Sequence, residues 1–233
     1  MLSLASLVED ALHLFYPHFC KSCGYDNLKK DQLLCFHCLN SLPRTDFAKH
    51  PNNLTERIFA GRLDIAAAHS EFYFSKGKII QNLLHQLKYK GKKEIGVFLG
   101  GLLGESILKS GRFLNIDVII PLPMFIDKEK KRGYNQSVII ANGISPILKV
   151  PVLENIVFRN RFTETQTRKQ RPERWLNVEG SFDIKNEKLL EGKNILLVDD
   201  IITTGSTLES CGRKILKIPS TNLNIATLAV ATK

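Results

Sequence analysis

No apolar run in the 233 residues approaches the ~20 needed to cross a bilayer, so no transmembrane segment is expected. The opening stretch, Met1 to Phe15, lacks a basic head and carries Glu9 and Asp10 in its middle, which argues against a secretory signal. Low-complexity tracts are missing as well, and nothing repeats beyond one paired cysteine motif. Acidic side chains are in deficit: 23 Asp and Glu stand against 33 Lys and Arg, for a net charge of +10 and a pI near 9.4. That imbalance favours polyanionic partners, whether nucleic acid, phosphorylated small molecules or an anionic membrane surface. Hydrophobic content of 43% and charged content of 24% are ordinary for a globular protein. The length holds one α/β domain of moderate size plus a small module. A cytoplasmic protein is expected.

What is present begins with the thirteen residues Ile195 to Thr207, Ile-Leu-Leu-Val-Asp-Asp-Ile-Ile-Thr-Thr-Gly-Ser-Thr. Four aliphatic residues, two of them β-branched, predict a strand buried on both faces, as in a parallel sheet. Asp199 and Asp200 stand where that strand is expected to end. Thr203, Thr204, Gly205, Ser206 and Thr207 then lead into a helical stretch, Leu208 to Leu216. A loop of hydroxyls and a glycine opening onto a helix N-terminus is a phosphate cradle. Its backbone N–H groups point at the anion, the macrodipole favours it, and the hydroxyls add donors. The two carboxylates cannot grip a phosphate. Their chemistry suits the vicinal hydroxyls of a ribose, with a hard cation such as Mg2+ held nearby by sugar and pyrophosphate.

Four of the five cysteines fall as Cys20-x2-Cys23 and Cys35-x2-Cys38, eleven residues apart. Two such knuckles present four thiolates that can close around a tetrahedral Zn2+, and Gly24 suits the tight turn after the first. A redox pair or two disulfides are the alternatives. A redox motif usually occurs once, and disulfides would need an oxidising compartment. His18 and His37 lie close enough to substitute as ligands. Cys211, on the helix after the phosphate loop, reads as a packed thiol.

The chain divides into a helix and four-cysteine ribbon at 1–45, a Pro- and Asn-bearing linker at 46–62, and an α/β domain at 63–233. The first helix carries its stripe on Leu2, Leu4, Leu7, Val8, Leu12, Leu14 and Phe15. In the main domain, strands are expected at Leu63–Phe74, Asn115–Leu122, Asn194–Asp200 and Leu223–Ala229. Helices are expected at Gly77–Tyr89, Ile95–Lys109 and Tyr134–Ile144, with a short extended segment at Val150–Phe158. Strands alternating with helices imply a mostly parallel sheet, with ligands at the carboxyl ends of its strands.

Three basic clusters stand out. Lys128, Lys130, Lys131 and Arg132 lead into Gly133-Tyr134-Asn135-Gln136 and read as a loop beside the expected ribose-phosphate site, or else as a solvated turn. Asn135 and Gln136 could cap the next helix or read an amide edge. Arg159 to Arg174 lacks hydrophobic periodicity and reads as a lid or a solvent loop. The run around Lys88 to Lys93 sits at a helix C-terminus, where the dipole favours cations in any case. Single-stranded DNA is a candidate polyanion for Lys29, Lys30, Arg168, Lys169 and Arg171, with Trp175 either stacking on a base or anchoring the loop.

The run at 195–207 resembles the fingerprint of type I phosphoribosyltransferases, which bind 5-phosphoribosyl-1-pyrophosphate (PRPP). The resemblance implies PRPP binding by Asp199, Asp200, Thr203, Thr204, Gly205, Ser206, Thr207 and Arg132, with the two aspartates as the candidate catalytic pair. Over nearly its full length the chain also resembles the ComF family of competence proteins. That likeness runs through the ribbon, Leu87-Lys88-Tyr89-Lys90-Gly91, Pro121-Leu122-Pro123, Arg132 to Gln136, Thr163 to Gln166, Arg174, Asn177, Phe182 and the phosphate loop. It implies a type I phosphoribosyltransferase fold behind a zinc ribbon. It also implies a part in natural transformation, handling single-stranded DNA beside a helicase-like ATPase and a DNA-uptake channel. It does not establish a reaction. A transferase acting on a nitrogen acceptor, and a DNA-binding regulator whose pocket senses ligand, remain the other readings.

Overall fold

A four-stranded parallel sheet forms where the sequence places its buried aliphatic runs. The computed structural model describes residues 18–26, 28–30, 32–75, 78–159 and 181–231. The expected first helix, the lysine and two arginines at 168–171, Thr163 to Gln166 and Trp175 lie outside the described residues. Among the described residues the strands are β1 (Ala67–Phe74), β2 (Val118–Pro121), β3 (Val157–Arg159), β4 (Phe182–Ile184), β5 (Asn194–Ile202) and β6 (Asn222–Ala231). The α-helices among them are α1 (Phe36–Asn40), α2 (Leu54–Phe59), α3 (Ile79–Tyr89), α4 (Lys93–Ser110), α5 (Ile126–Arg132), α6 (Gln136–Leu148) and α7 (Ser206–Ile215). The sheet order is β1-β6-β5-β2 with every pairing parallel, while β3 and β4 make a separate antiparallel pair.

The two faces of the sheet are covered by different elements. Leu196 and Val198 of β5 join a core built from α3, α4, α6 and the cysteine-bearing segment, including Cys20, Leu28, Leu34 and Cys38. Ile195 and Leu197 join a second core with Phe59 of α2, Val157 and Phe182 of the β3–β4 pair, and Leu208, Cys211 and Ile215 of α7. Successive side chains on a strand alternate between faces. The alternation slips by one residue at the acidic pair, since Ile201 returns to the first core and Ile202 to the second.

Helices α4 and α6 touch backbone to backbone. A Cβ on Gly100 would come within 2.3 Å of the Ile140 carbonyl oxygen, and one on Gly143 within 2.2 Å of that of Val97. Only glycine permits this approach, and it carries the start of α6 to the end of β5.

The structure differs from the sequence expectations in several places. Residues 46–62, read as a linker, pack on the sheet: Asn53, the N-cap of α2, donates to the Ala68 carbonyl at 2.9 Å, and Thr55 within α2 donates to the Ser70 hydroxyl at 2.8 Å. The basic loop read at 128–132 is α5, with Asp127 and Glu129 in its first turn and three cations in its last, the order the macrodipole favours. Gly133 closes it at φ +84°. The strand expected from Leu63 begins at Ala67, and β5 continues two residues past Asp200. The extended segment at 150–158 supplies β3, whose pairing with Phe182–Ile184 its own pattern does not reveal. Cys211 is fully buried, a packed thiol as expected.

Candidate functional site

The acidic pair, the phosphate loop and the start of α6 converge at the carboxyl end of β5. Gly205 caps α7 in the left-handed region at φ +73°, and a Cβ there would strike Ile58 at 2.7 Å and Phe59 at 3.0 Å. The loop is thus pressed against α2 by a residue with no side chain. Thr203, Thr204 and Ser206 remain exposed, and the loop surrounds a small concavity lined by Asp199 and residues 201–208. Arg62 braces it from behind, donating to the Thr204 carbonyl at 3.0 Å and pairing with Glu209. Burial opposes ionisation of Glu209, but Arg213 and Arg62 outweigh it and hold the carboxyl below its usual range.

The two aspartates differ in partners. Asp199 accepts the Ser137 hydroxyl of α6 at 3.0 Å and the Asp200 amide at 2.8 Å. Burial, then the neighbouring Asp200 charge, push its pKa up to about 7. A carboxyl poised there can hold or release a proton at neutral pH. Asp200 instead meets Lys88 of α3 at 2.7 Å, with both side chains largely shielded. Arg159, at the end of β3, lies with its guanidinium 3.7 Å from the centre of the Phe125 ring and adds a cation on the Asp199 side.

Residues 132–137 act as one bracket. Asn135 caps α6 by accepting the Ser137 amide at 3.0 Å, and donates to the Leu122 carbonyl at 2.9 Å. The Tyr134 hydroxyl donates to the Leu87 carbonyl. Arg132, expected at PRPP, lies 5.4 Å from the centre of the Tyr89 ring at the end of α5. Two residues that the structure brings to the site carry no site signal in the sequence. Lys88 reads there as a cation serving the helix dipole, and Ser137 stands directly after the Arg-Gly-Tyr-Asn-Gln block.

In the segment that α3 contacts through Asn82 and Gln86, the four cysteine sulfurs all lie within 4.8 Å of one another, and Cys23 and Cys35 are 3.7 Å apart. Zinc–sulfur bonds of about 2.3 Å in a tetrahedron set sulfur–sulfur edges near ~3.8 Å, so the donor set fits such an ion. None of the four is in a disulfide. Burial opposes ionisation of Cys20, yet amides of Cys23, Cys35 and Ser22 prevail and bring its pKa down to about 6. Burial drives Cys38 up to about 12. The cluster could hold a metal such as zinc. Lys29 and Lys30 are exposed beside it.

Among the described residues no helix is long and apolar enough to cross a membrane. The Phosphoribosyl transferase domain family matches residues 134–232, the span of α6, the acidic pair and the phosphate loop. Competence protein F of Haemophilus influenzae is 28% identical over 226 residues, covering 94% of this chain and 93% of that protein. Competence protein ComFC of Bacillus subtilis is 37% identical over 100 residues, 43% of this chain and 38% of that one. DNA utilization protein YhgH of Escherichia coli K12 is 30% identical over 138 residues, 58% of this chain and 60% of that one. A parallel sheet flanked by helices, the acidic pair and hydroxyl loop at its carboxyl edge and a four-cysteine cluster ahead of it thus occur in a chain that carries a phosphoribosyl transferase domain and is similar to competence protein F over nearly its whole length.

Proposed function

We propose that this chain is a competence protein that binds single-stranded DNA and PRPP, or a related phosphorylated ligand, during DNA uptake. The observation that carries the ligand half is the juxtaposition at one strand end of two carboxylates and a hydroxyl loop capped by Gly205. The loop amides and hydroxyls would take the 5-phosphate, and Asp199 and Asp200 the ribose hydroxyls. Mg2+ bound with PRPP would neutralise pyrophosphate charge. The raised pKa of Asp199 beside a second carboxylate fits a site that gains from an arriving cation. The DNA half rests on the net charge of +10 and on the relatives' names. The ribbon would carry structural Zn2+. The protein would work in the cytoplasm at the inner face of the membrane, beside a helicase-like ATPase and an uptake channel.

Calorimetry with PRPP and Mg2+ tests the ligand half. Binding is expected for the wild type and none for Asp199→Asn with Asp200→Asn, whose circular dichroism should be unchanged. No heat with the wild type would overturn the reading.

The matched transferase family favours a second reading, transfer of ribose-5-phosphate from PRPP to a nitrogen acceptor as pyrophosphate leaves. Positioning and charge stabilisation would supply most of that catalysis, with little demand for a general base. Pyrophosphate release against a panel of nucleobases separates the two.

A further inference from the structure

Helix α3 touches both unusual features of the molecule. In its last turn the Gln86 amide donates to the Lys21 carbonyl at 2.6 Å, and one turn earlier Asn82 reaches the Ser22 carbonyl at 3.5 Å. Lys21 and Ser22 are the two residues between Cys20 and Cys23. Their carbonyls lie where the knuckle turns, so the sulfur geometry fixes them. Two residues beyond Gln86, Lys88 holds Asp200 at 2.7 Å. Between these contacts Leu87 is fully buried, and its carbonyl accepts the Tyr134 hydroxyl. The last turn of α3 is therefore pinned from two sides, which limits where the Lys88 stem can carry its ammonium.

The Cys35 and Cys38 amides approach sulfurs at 3.4 and 3.5 Å, backbone bonds such as Cys20 to the Tyr25 carbonyl and Gly24 to the Cys20 carbonyl close the first turn, and Cys20 and Cys38 pack into the core. A bound ion would convert this into a fixed tetrahedron. At the far end, two adjacent carboxylates repel a ligand that is itself strongly anionic. Lys88 cancels one of those charges and offers an ammonium that a phosphate oxygen can share. The pair is shielded enough for its charge to matter, unlike an exposed surface ion pair.

We propose that Lys88 is a binding residue of the PRPP site and that the ribbon positions it through α3, so that metal in the cysteine cluster and ligand at the acidic pair strengthen each other. This rests on the PRPP reading above. Linkage of this kind is reciprocal: whatever the metal does for ligand affinity, the ligand does for metal retention.

The test uses the full-length, zinc-loaded chain. Lys88→Met should raise the calorimetric Kd for Mg2+–PRPP about tenfold, Lys88→Arg should recover most of it, and Gln86→Leu should cost roughly three- to fivefold without touching the acidic pair. In the second arm, zinc release to a chromophoric chelator is timed with and without saturating PRPP. Release should slow severalfold with PRPP in the wild type and not in Gln86→Leu. Unchanged PRPP affinity in Gln86→Leu, together with release indifferent to PRPP, would overturn the coupling while leaving PRPP binding standing. If the wild type binds no PRPP, the earlier reading falls, and release without ligand decides the link. Faster release from Lys88→Met than from wild type keeps the α3 connection between Asp200 and the ribbon, and equal rates remove it.

Discussion

The phosphate loop and the four-cysteine ribbon are both short, both turn on a left-handed glycine, and both are shaped for a ligand. They are nevertheless held by opposite means. The loop leaves a strand paired on both sides, and Gly205 is pressed into α2. The ribbon's turn at Gly24 has the same sign of φ, +77°, but nothing lies within 4 Å of where a Cβ would sit. One element is shaped by the elements packed around it. The other adds four convergent sulfurs to its core contacts, so a metal held there should contribute to its shape.

The largest effect expected from this contrast is metal removal. Structural zinc contributes on the order of 10 kcal/mol to small cysteine modules, far more than any contact in this ribbon. Metal analysis should find one Zn2+ per chain, and none in Cys20→Ser with Cys23→Ser. Hydrogen exchange should then rise across residues 20–38 while the amides of β5 and β6 stay protected. Full metal retention in that variant would end the four-thiolate assignment.

The two glycines allow a sharper comparison. A non-glycine residue at positive φ costs about 1–3 kcal/mol. Gly24→Ala should cost no more than that, because its surroundings are open. Gly205→Val carries the same backbone cost, plus a displacement of Ile58 and Phe59 from distances of 2.7 and 3.0 Å. Its melting temperature should fall well below that of Gly24→Ala, with both measured on zinc-loaded protein. Equal losses would mean that α2 yields freely and that the loop is not braced.

A smaller effect should appear with pH. The Asp199 pKa is raised in the fold to about 7, so between about pH 4 and pH 7 the folded chain keeps a proton that the unfolded chain has released. The stability owed to this group is full below that window and declines as pH rises through it. The decline should amount to about 1–2 kcal/mol, since each tenfold change in proton affinity is about 1.4 kcal/mol and part of the carboxylate reaches solvent. Urea midpoints at pH 5 and pH 8 should separate for the wild type and draw together for Asp199→Asn. An unchanged separation would assign the slope to other groups.

The same contrast explains what could be read from the sequence. The thirteen residues of strand, acids and loop are contiguous, and each position signals its role locally. The cysteine cluster was legible because metal spacing is also local. Helix α5 was not, because none of its seven residues is buried and so no apolar stripe marks it. Only the order of its charges and Gly133 give it away. Asn53 and Thr55 looked like linker residues, since their burial comes from partners on β1 that local pattern does not reveal. Ser137 and Asp199 meet across 62 residues of sequence, and Lys88 reaches Asp200 from a different strand–helix unit. Contacts of that kind follow from the fold and leave no periodicity behind.

The contrast extends to DNA, where each residue's expected effect is smallest. A single strand releases counterions as each phosphate is neutralised, so log affinity should fall with log salt by about 0.7 per contact. Lys29 and Lys30 are exposed on the ribbon and have no ligand role to compete for them. The 168–171 cations lie outside the described residues, and if that stretch is the lid its sequence suggests, PRPP could claim them. Gel-shift titrations of a single strand at two salt concentrations should therefore show the slope reduced by roughly 1.4 in Lys29→Glu with Lys30→Glu, whether or not PRPP is present. Charge reversal at Arg168, Lys169 and Arg171 should lower affinity without PRPP and matter less once PRPP is bound. An affinity indifferent to salt, or one untouched by both sets of reversals, would assign the excess of basic residues to the phosphate ligand and remove DNA from the ribbon.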